Sequence, residues 1–180
     1  MEMFAHIEKL GGLDYFISNA SNGLIAPFEQ INDEHWAKGF QTNLVGLHQC
    51  ALLAAPLMAQ RGGGKIVTMS TPVSNRHVAD FSCMAALKAS VESLTRAMAV
   101  EFEKYHITVN CISAGAVYGD LIQKFPDSEQ AIRYWEDKSL GKRLVYSQEI
   151  CNFINFLLSG AADVINGSVL VIDGGITIRL

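Results

Sequence analysis

The chain has 180 residues, of which 49% are hydrophobic and 18% are charged, and its formal net charge at pH 7 is −4. This composition is typical of one globular domain and excludes a disordered chain. Because the net charge is negative and the basic residues are scattered, we expect neither nucleic acid nor an anionic membrane surface as a partner.

The first predicted elements are the last turns of a helix at Met1–Leu10 and a strand at Leu13–Ser18. Three later segments share the short, apolar and β-branched character of this strand: Lys65–Ser70, Ile107–Ile112 and Ser168–Asp173. Their apolar runs are nearly continuous rather than alternating, which is typical of parallel strands buried on both faces.

Helical patterns separate these strands. They cover Glu34–Arg61, predicted as two helices, and Asp80–Tyr105, Ser128–Lys138 and Ser147–Leu158. Strands that alternate with helices of this length indicate right-handed βαβ units. We therefore predict a single α/β domain over residues 1–180, a Rossmann-like doubly wound parallel sheet reduced to about four strands with helices on both faces.

The helix after Asp80 has two different faces. Asp80 is a candidate N-cap, and one face is bulky: Met84, Leu87, Val91, Leu94, Met98 and Phe102. The other face is small: Ala85, Ala86, Ala89, Ser90, Ser93 and Ala97. A helix of this kind packs on two sides: one side can be its own sheet, and the other suggests another helix, either of this chain or of a second subunit.

The cysteines, at positions 50, 83, 111 and 151, have no metal-ligand spacing, so we expect free thiols, no metal site and a cytoplasmic protein. The most apolar stretch, Leu44–Met58, is too short to span a bilayer and predicts a buried helix. Gly62–Lys65 is a poor phosphate-binding loop because a strand follows it, and it predicts a turn. No G-x-G-x-x-G segment is present in the sequence.

Several short motifs then occur in a recognisable order: Ser18-Asn19-Ala20, Asn43, Ile66–Thr71, Lys88, Asn110–Gly115 and Val171–Gly175. Together they resemble the short-chain dehydrogenase/reductase family. The resemblance implies that Lys88, Thr71 and Asn43 are catalytic, with Thr71 in the place of the family's serine. It also implies that Asn19, Ala20, Lys88, Gly115 and Val117 contact the cofactor, which is NADPH or NADH.

A closer resemblance is to the NADPH-dependent bacterial enoyl-acyl-carrier-protein reductases. It is carried by Phe81–Lys88, where that subgroup has tyrosine, six residues and lysine, and by Ile112–Val117 and Phe125–Asp127. It implies reduction of the C=C bond of an acyl group in fatty-acid or polyketide synthesis. The expected partners are an acyl thioester, such as one on acyl carrier protein, and further copies of the protein in a homodimer or homotetramer.

The sequence departs from this pattern at the catalytic tyrosine. Phe81 occupies the position seven before Lys88, and Met84 occupies the alternative position four before it; neither residue can donate a proton. Tyr118 or His77 is a possible substitute. The phosphate-binding turn is also missing, so we expect very weak cofactor binding and a natural start upstream of Met1. A non-enzymatic subunit or interaction module and a carbonyl reductase of the same superfamily remain alternatives.

Overall fold

The computed structural model describes residues 2–123 and 127–179. Its α-helices are α1 (Glu2–Lys9), α2 (Asp33–Phe40), α3 (Gly46–Ala59), α4 (Ser82–Glu101), α5 (Asp120–Gln123), α6 (Ser128–Lys138) and α7 (Ser147–Leu158). Its strands are β1 (Tyr15–Ser18), β2 (Gly64–Ser70), β3 (Ile107–Ala114), β4 (Val117–Tyr118), β5 (Val145–Tyr146) and β6 (Val169–Ile172). Short 3₁₀ turns lie at Phe28–Gln30, Pro72–Ser74, Glu103–Tyr105, Gly160–Ala162 and Ile176–Ile178.

Four strands form one parallel sheet in the order β1-β2-β3-β6. This confirms the predicted α/β class and the predicted number of strands. A second sheet, in which β4 pairs with β5, was not predicted because each strand has only two residues.

Helices cover both faces of the main sheet because neighbouring residues of each central strand point to opposite sides. On one face, Ile66 and Val109 pack with α3 and α4. On the other face, Val67 and Ile112 pack with α7. The central strands β2 and β3 are therefore largely buried on both sides, as predicted.

The first strand departs from that prediction. Burial alternates along β1, and Tyr15 and Ile17 are 51% and 43% exposed. These two residues pair in register with Lys65 and Val67, so they lie on the α7 side of the sheet. β1 is also an edge strand with one neighbour in the described structure, which explains why its apolar side chains are not covered.

The segment predicted as two helices is one continuous helical stretch. A π-helical turn, Gln41–Val45, joins α2 to α3 without a break. By length and composition alone, Asp33–Ala59 could cross a membrane. However, α3 places Leu47, Ala51 and Met58 in the main core, as the central helix of an α/β fold does.

The predicted N-cap of the long helix is wrong by one residue. Asp80 has a left-handed φ of 67°, and the N-cap position belongs to Phe81. The carbonyl oxygen of Asp80 instead accepts a hydrogen bond from the Ala26 N–H at 2.9 Å. Asp80 therefore ties the loop after β1 to the start of α4, and it does not cap the helix.

Candidate active site

The carboxyl ends of the parallel strands meet at one edge of the sheet. Ser18 pairs with Thr68, and Ser70 pairs with Ser113. The next register pair is Ala114 with Ile172. Asn19, Thr71 and Gly115 each follow one of these strand ends, so the fold places them along the same edge. In open α/β sheets this edge is where ligands bind.

Lys88 reaches this edge from α4. The residue is only 8% exposed, and its Nζ donates to the carbonyl oxygen of Met69 at 3.0 Å. Met69 lies two residues before Thr71, so the ammonium is held beside the end of β2. Burial lowers the pKa of Lys88, with a smaller opposing effect from Cys111.

Asn43 lies in the π-helical turn and is 3% exposed. Its Nδ2 donates to the carbonyl oxygen of Gly39 at 2.9 Å and also to that of Asn22, while its Oδ1 accepts from Ser21 Oγ at 2.9 Å. The bonds to Ser21 and Asn22 thus fix the loop after β1 to the helical stretch, and the bond to Gly39 lies within that stretch. The π-turn packs against α4, the helix that carries Lys88.

Thr71 stands between two serines that are bound to α4. It is partly buried and immediately precedes the 3₁₀ turn Pro72–Ser74. Ser70 Oγ and Ser74 Oγ each donate to Oε1 of Glu92 at 2.6 Å. The Thr71 backbone is therefore anchored on both sides to the helix that carries Lys88.

The structure places the other residues predicted to contact the cofactor in different surroundings. A Cβ atom on Gly115 would lie 2.6 Å from Asp173 Cβ and 2.7 Å from its Cα, so only glycine fits. Val117 pairs with Val145 in the small sheet and packs on the α7-side core. Asn19 and Ala20 are exposed in the loop after β1. A cofactor role for these residues stays a prediction.

No hydroxyl occupies either expected tyrosine position. Phe81 is the N-cap residue of α4 rather than part of the helix. The Met84 side chain packs against the loop after β1, where a Cβ on Gly23 would lie 2.7 Å from Met84 Cε.

The two predicted substitutes for the tyrosine also differ in their surroundings. Tyr118 Oη donates to Glu136 Oε1 at 2.5 Å, and this bond is the main cause of a raised Tyr118 pKa. His77 is exposed in the segment before α4. The Tyr118 hydroxyl is therefore committed to α6 in this conformation.

One depression on the described surface lies away from these residues. It has a volume of about 490 Å³ and is lined by charged side chains and by the Gly62–Lys65 turn. Two of its carboxylates, Asp14 and Asp163, are paired with Arg61 and Lys65. It lies at the amino ends of the strands, opposite the candidate site, and its cations are already paired.

The sequence motifs did not predict the residues that hold the site together. Ser21 was missed because its partner Asn43 is distant in sequence. Glu92 had a detectable signal: Lys88, Glu92 and Thr95 form a polar row on a helix whose neighbouring stripe is apolar. Thr95 also faces the sheet, where its Oγ1 lies 2.7 Å from Thr68 Oγ1.

Comparisons with known proteins agree with this architecture. The model of a family described as enoyl-(acyl carrier protein) reductase matches residues 2–177. The short chain dehydrogenase/reductase astE of Aspergillus oryzae is 30% identical over 98% of this chain and 69% of its own length. The chain belongs to the short-chain dehydrogenase/reductase family.

Two other relatives differ in their named activities. The 1-cyclohexenylcarbonyl-CoA reductase of Streptomyces collinus is 32% identical over 95% of this chain. The crystal structure of a gluconate 5-dehydrogenase from Burkholderia cenocepacia, in complex with NADP and tartrate, superposes with a TM-score of 0.92 at 27% identity. The superposition covers 98% of this chain and 70% of the gluconate 5-dehydrogenase chain. The chain spans 61% of the Streptomyces reductase, less than two thirds of it.

Proposed function

We propose that this chain acts in an NAD(P)H-dependent oxidoreductase that reduces the C=C bond of an acyl thioester. The observation that carries the proposal is the buried Lys88 ammonium, held at the carbonyl of Met69 beside Thr71. A buried cation at the carboxyl edge of a parallel sheet is costly unless a ligand or partner uses it.

The donors at this edge fit the nicotinamide-ribose end of the cofactor. An ammonium has three N–H donors, and the Met69 carbonyl accepts one of them. None of the ion pairs between described residues involves Lys88. Lys88 thus has donor capacity for two ribose hydroxyls. The pyrophosphate end is different, because the sequence has no glycine-rich turn of the G-x-G-x-x-G type.

Each residue of the site would then have a separate role. When bound, the reduced cofactor supplies the hydride. Lys88 holds the ribose, and Asn43 keeps the loop after β1 against the helix through its hydrogen bonds to Ser21 and Asn22. Thr71 contributes a hydroxyl that can donate to the thioester oxygen on which negative charge builds during hydride addition.

Cofactor affinity tests this proposal. Binding of NADPH, followed by the change in its fluorescence, is expected to be weak for the 180-residue chain. We expect it to strengthen when a strand–glycine turn–helix segment from a family member is fused upstream. In the extended protein, Lys88→Met is expected to weaken NADPH binding by about 10-fold or more, because it removes hydrogen bonds that a charged group donates. Lys104→Met, at an exposed lysine, is the matched control; equal affinities for both variants would refute the proposal.

The thioester substrate is the finer part of the proposal. It is supported by the matched enoyl reductase family and by the Streptomyces reductase, whose named substrate is a CoA thioester. Oxidation of NADPH with crotonyl-CoA and with a simple ketone separates the candidates. Faster turnover of the ketone would favour a carbonyl reductase of the same superfamily.

A second candidate is a non-enzymatic subunit of a larger assembly. The absence of a hydroxyl at both Phe81 and Met84 favours it, since one missing donor of this kind costs about 10²- to 10³-fold in rate. Binding of NADPH without turnover of either substrate would be the expected result for this candidate.

We further propose a homodimer or homotetramer. Val45, Leu52 and Leu53 are exposed apolar residues along the helical stretch that ends in α3, and Val100 is exposed on α4. On the small face of α4, Ala86, Ser93 and Ala97 are exposed as well. Exposed apolar surface on two neighbouring helices is typical of an interface between subunits.

A further inference from the structure

We infer that Glu92 is a positioning residue that holds Thr71 in register with Lys88. Glu92 is 8% exposed and lies one helical turn after Lys88 on α4. The inference rests on the proposed function, because it concerns the same edge of the sheet. It adds a residue that has no counterpart among the motifs of the family resemblance.

The geometry around the Glu92 carboxylate is specific. One oxygen, Oε1, accepts from Ser70 Oγ and from Ser74 Oγ, each at 2.6 Å. Ser70 directly precedes Thr71, and the Ser74 N–H donates to the Thr71 carbonyl oxygen at 3.0 Å. The segment that carries Thr71 is therefore closed into a turn whose two ends are bound to one atom on α4.

The same helix is attached to the same strand through Lys88. Lys88 donates to the carbonyl of Met69, which is the residue before Ser70, whereas Thr71 is the residue after it. These three hydrogen bonds join α4 to residues 69–74, two of them to a carboxylate and one from an ammonium. Hydrogen bonds to charged groups are stronger than neutral ones, so loss of the carboxylate should loosen this turn before the rest of the sheet.

Burying a carboxylate at a helix–sheet interface also costs desolvation free energy, and apolar residues usually pack there instead. Thr68 and Thr95 meet one turn further along the same interface with neutral hydroxyls. The charge at position 92 faces the end of β2, which leads into the candidate site. This location favours a positioning role over simple packing.

Amide hydrogen exchange tests the inference on the 180-residue chain without any cofactor. Glu92→Ala is expected to speed exchange at the position 74 amide by about 10- to 100-fold, because it removes the hydrogen bonds that hold this turn to a charged group. The Cys111 amide, which donates to the Ser168 carbonyl at 2.8 Å in the core, reports global opening and should change less. Glu92→Gln retains an oxygen that can accept both hydroxyls, so it should restore protection at position 74.

A second readout follows Lys88 itself. Its acetylation rate, measured by mass spectrometry relative to exposed Lys104, should rise in Glu92→Ala and return toward the wild-type rate in Glu92→Gln. If Glu92→Ala does not fold, Ser74→Ala removes one of the two bonds at a partly buried position and should show the same local effect. Glu101→Ala, at the exposed end of the same helix, is the matched control.

Equal acceleration at position 74 and Cys111, no acceleration at position 74, or failure of Glu92→Gln to restore protection would each overturn the inference. These measurements stand apart from the proposed function, because they need no ligand. A protein that binds no NADPH but shows the local effect refutes the cofactor proposal and leaves the positioning of Thr71 intact.

Discussion

The Nζ atom of Lys88 lies 3.0 Å from the carbonyl oxygen of Met69, so a buried cation is fixed at the end of the strand that leads to Thr71. This contact joins a helix and a strand at the edge where the parallel strands terminate. Lys88 therefore contributes a hydrogen bond within the fold, and its ammonium keeps further N–H donors for a ligand. Both consequences can be measured.

The buried ammonium should make stability depend on pH. Because burial lowers the folded-state pKa of Lys88 below its ordinary value of 10.5, the unfolded protein binds more protons between those two values. The free energy of unfolding should therefore rise with pH in this window for the wild type, relative to Lys88→Met. Urea denaturation of both proteins from about pH 8 to about pH 10 measures the difference. A difference that stays constant or falls with pH would contradict the assigned burial.

A restored tyrosine hydroxyl should increase turnover. Phe81→Tyr and Met84→Tyr each add a donor at one of the two positions where the family resemblance expects the tyrosine, and one such donor is worth about 10²- to 10³-fold in rate. NADPH oxidation with crotonyl-CoA, measured on a protein extended at its amino terminus, is the assay. Tyr134→Phe on the exposed face of α6 serves as a control for aromatic substitutions. Unchanged rates in both tyrosine variants would favour the non-enzymatic candidate.

Gly115 should not tolerate alanine. The added Cβ would meet the Asp173 Cβ at 2.6 Å, and overpacking of this kind costs about 1–3 kcal/mol. At Gly119 the same substitution meets nothing within 4 Å, so it should change stability by less than about 0.5 kcal/mol. Chemical denaturation of the two variants compares them directly. Equal losses would show that the Gly115–Asp173 approach is relaxed in solution.

The thiols should differ strongly in reactivity. Cys111 is buried, and burial raises its pKa to about 11, whereas Cys151 is exposed. Since the thiolate is the reactive form, iodoacetamide at about pH 8 should label Cys151 long before Cys111. Peptide mass spectrometry after native and denatured labelling gives both rates. Rapid native labelling of Cys111 would mean that β3 is open to solvent.

The exposed residues of α3 should control assembly. Leu52→Glu combined with Leu53→Glu places charge on the proposed subunit interface and should shift the protein toward the monomer. Light scattering after size-exclusion chromatography measures the mass. Val164→Glu, at a residue that is 95% exposed elsewhere on the surface, should leave the mass unchanged. A wild type that is already monomeric would refute the proposed oligomer.

The sequence predicted the sheet well because Lys65–Ser70 and Ile107–Ile112 are short apolar runs that only a strand buried on both faces explains. It failed at Asp80 and at β1, where tertiary contacts decide. Asp80 takes a left-handed conformation as its carbonyl binds Ala26. The side chains of Tyr15 and Ile17 are exposed because β1 lies at the sheet's edge.

At the candidate site, Lys88, Thr71 and Asn43 followed from the order of motifs along the chain as candidate residues whose catalytic roles stay predictions. Their partners did not, since hydrogen bonds such as Ser21 to Asn43 and Ser70 to Glu92 join residues 22 apart in sequence. No local periodicity encodes such pairs. The polar row on α4 was the one signal that could have revealed Glu92.

Binding of reduced nicotinamide mononucleotide tests most directly the claim that Lys88 holds a nicotinamide ribose, with Thr71 and Asn43 as the other residues of the site. This half of the cofactor does not need the dinucleotide phosphate turn. In a heteronuclear NMR titration of the 180-residue protein, we predict shift changes at the amides of Thr71 and Asn43 and at the Lys88 ammonium, all lost in Lys88→Met. Shift changes confined to the opposite depression around Arg61 and Lys65, or none at saturating ligand, would contradict the claim.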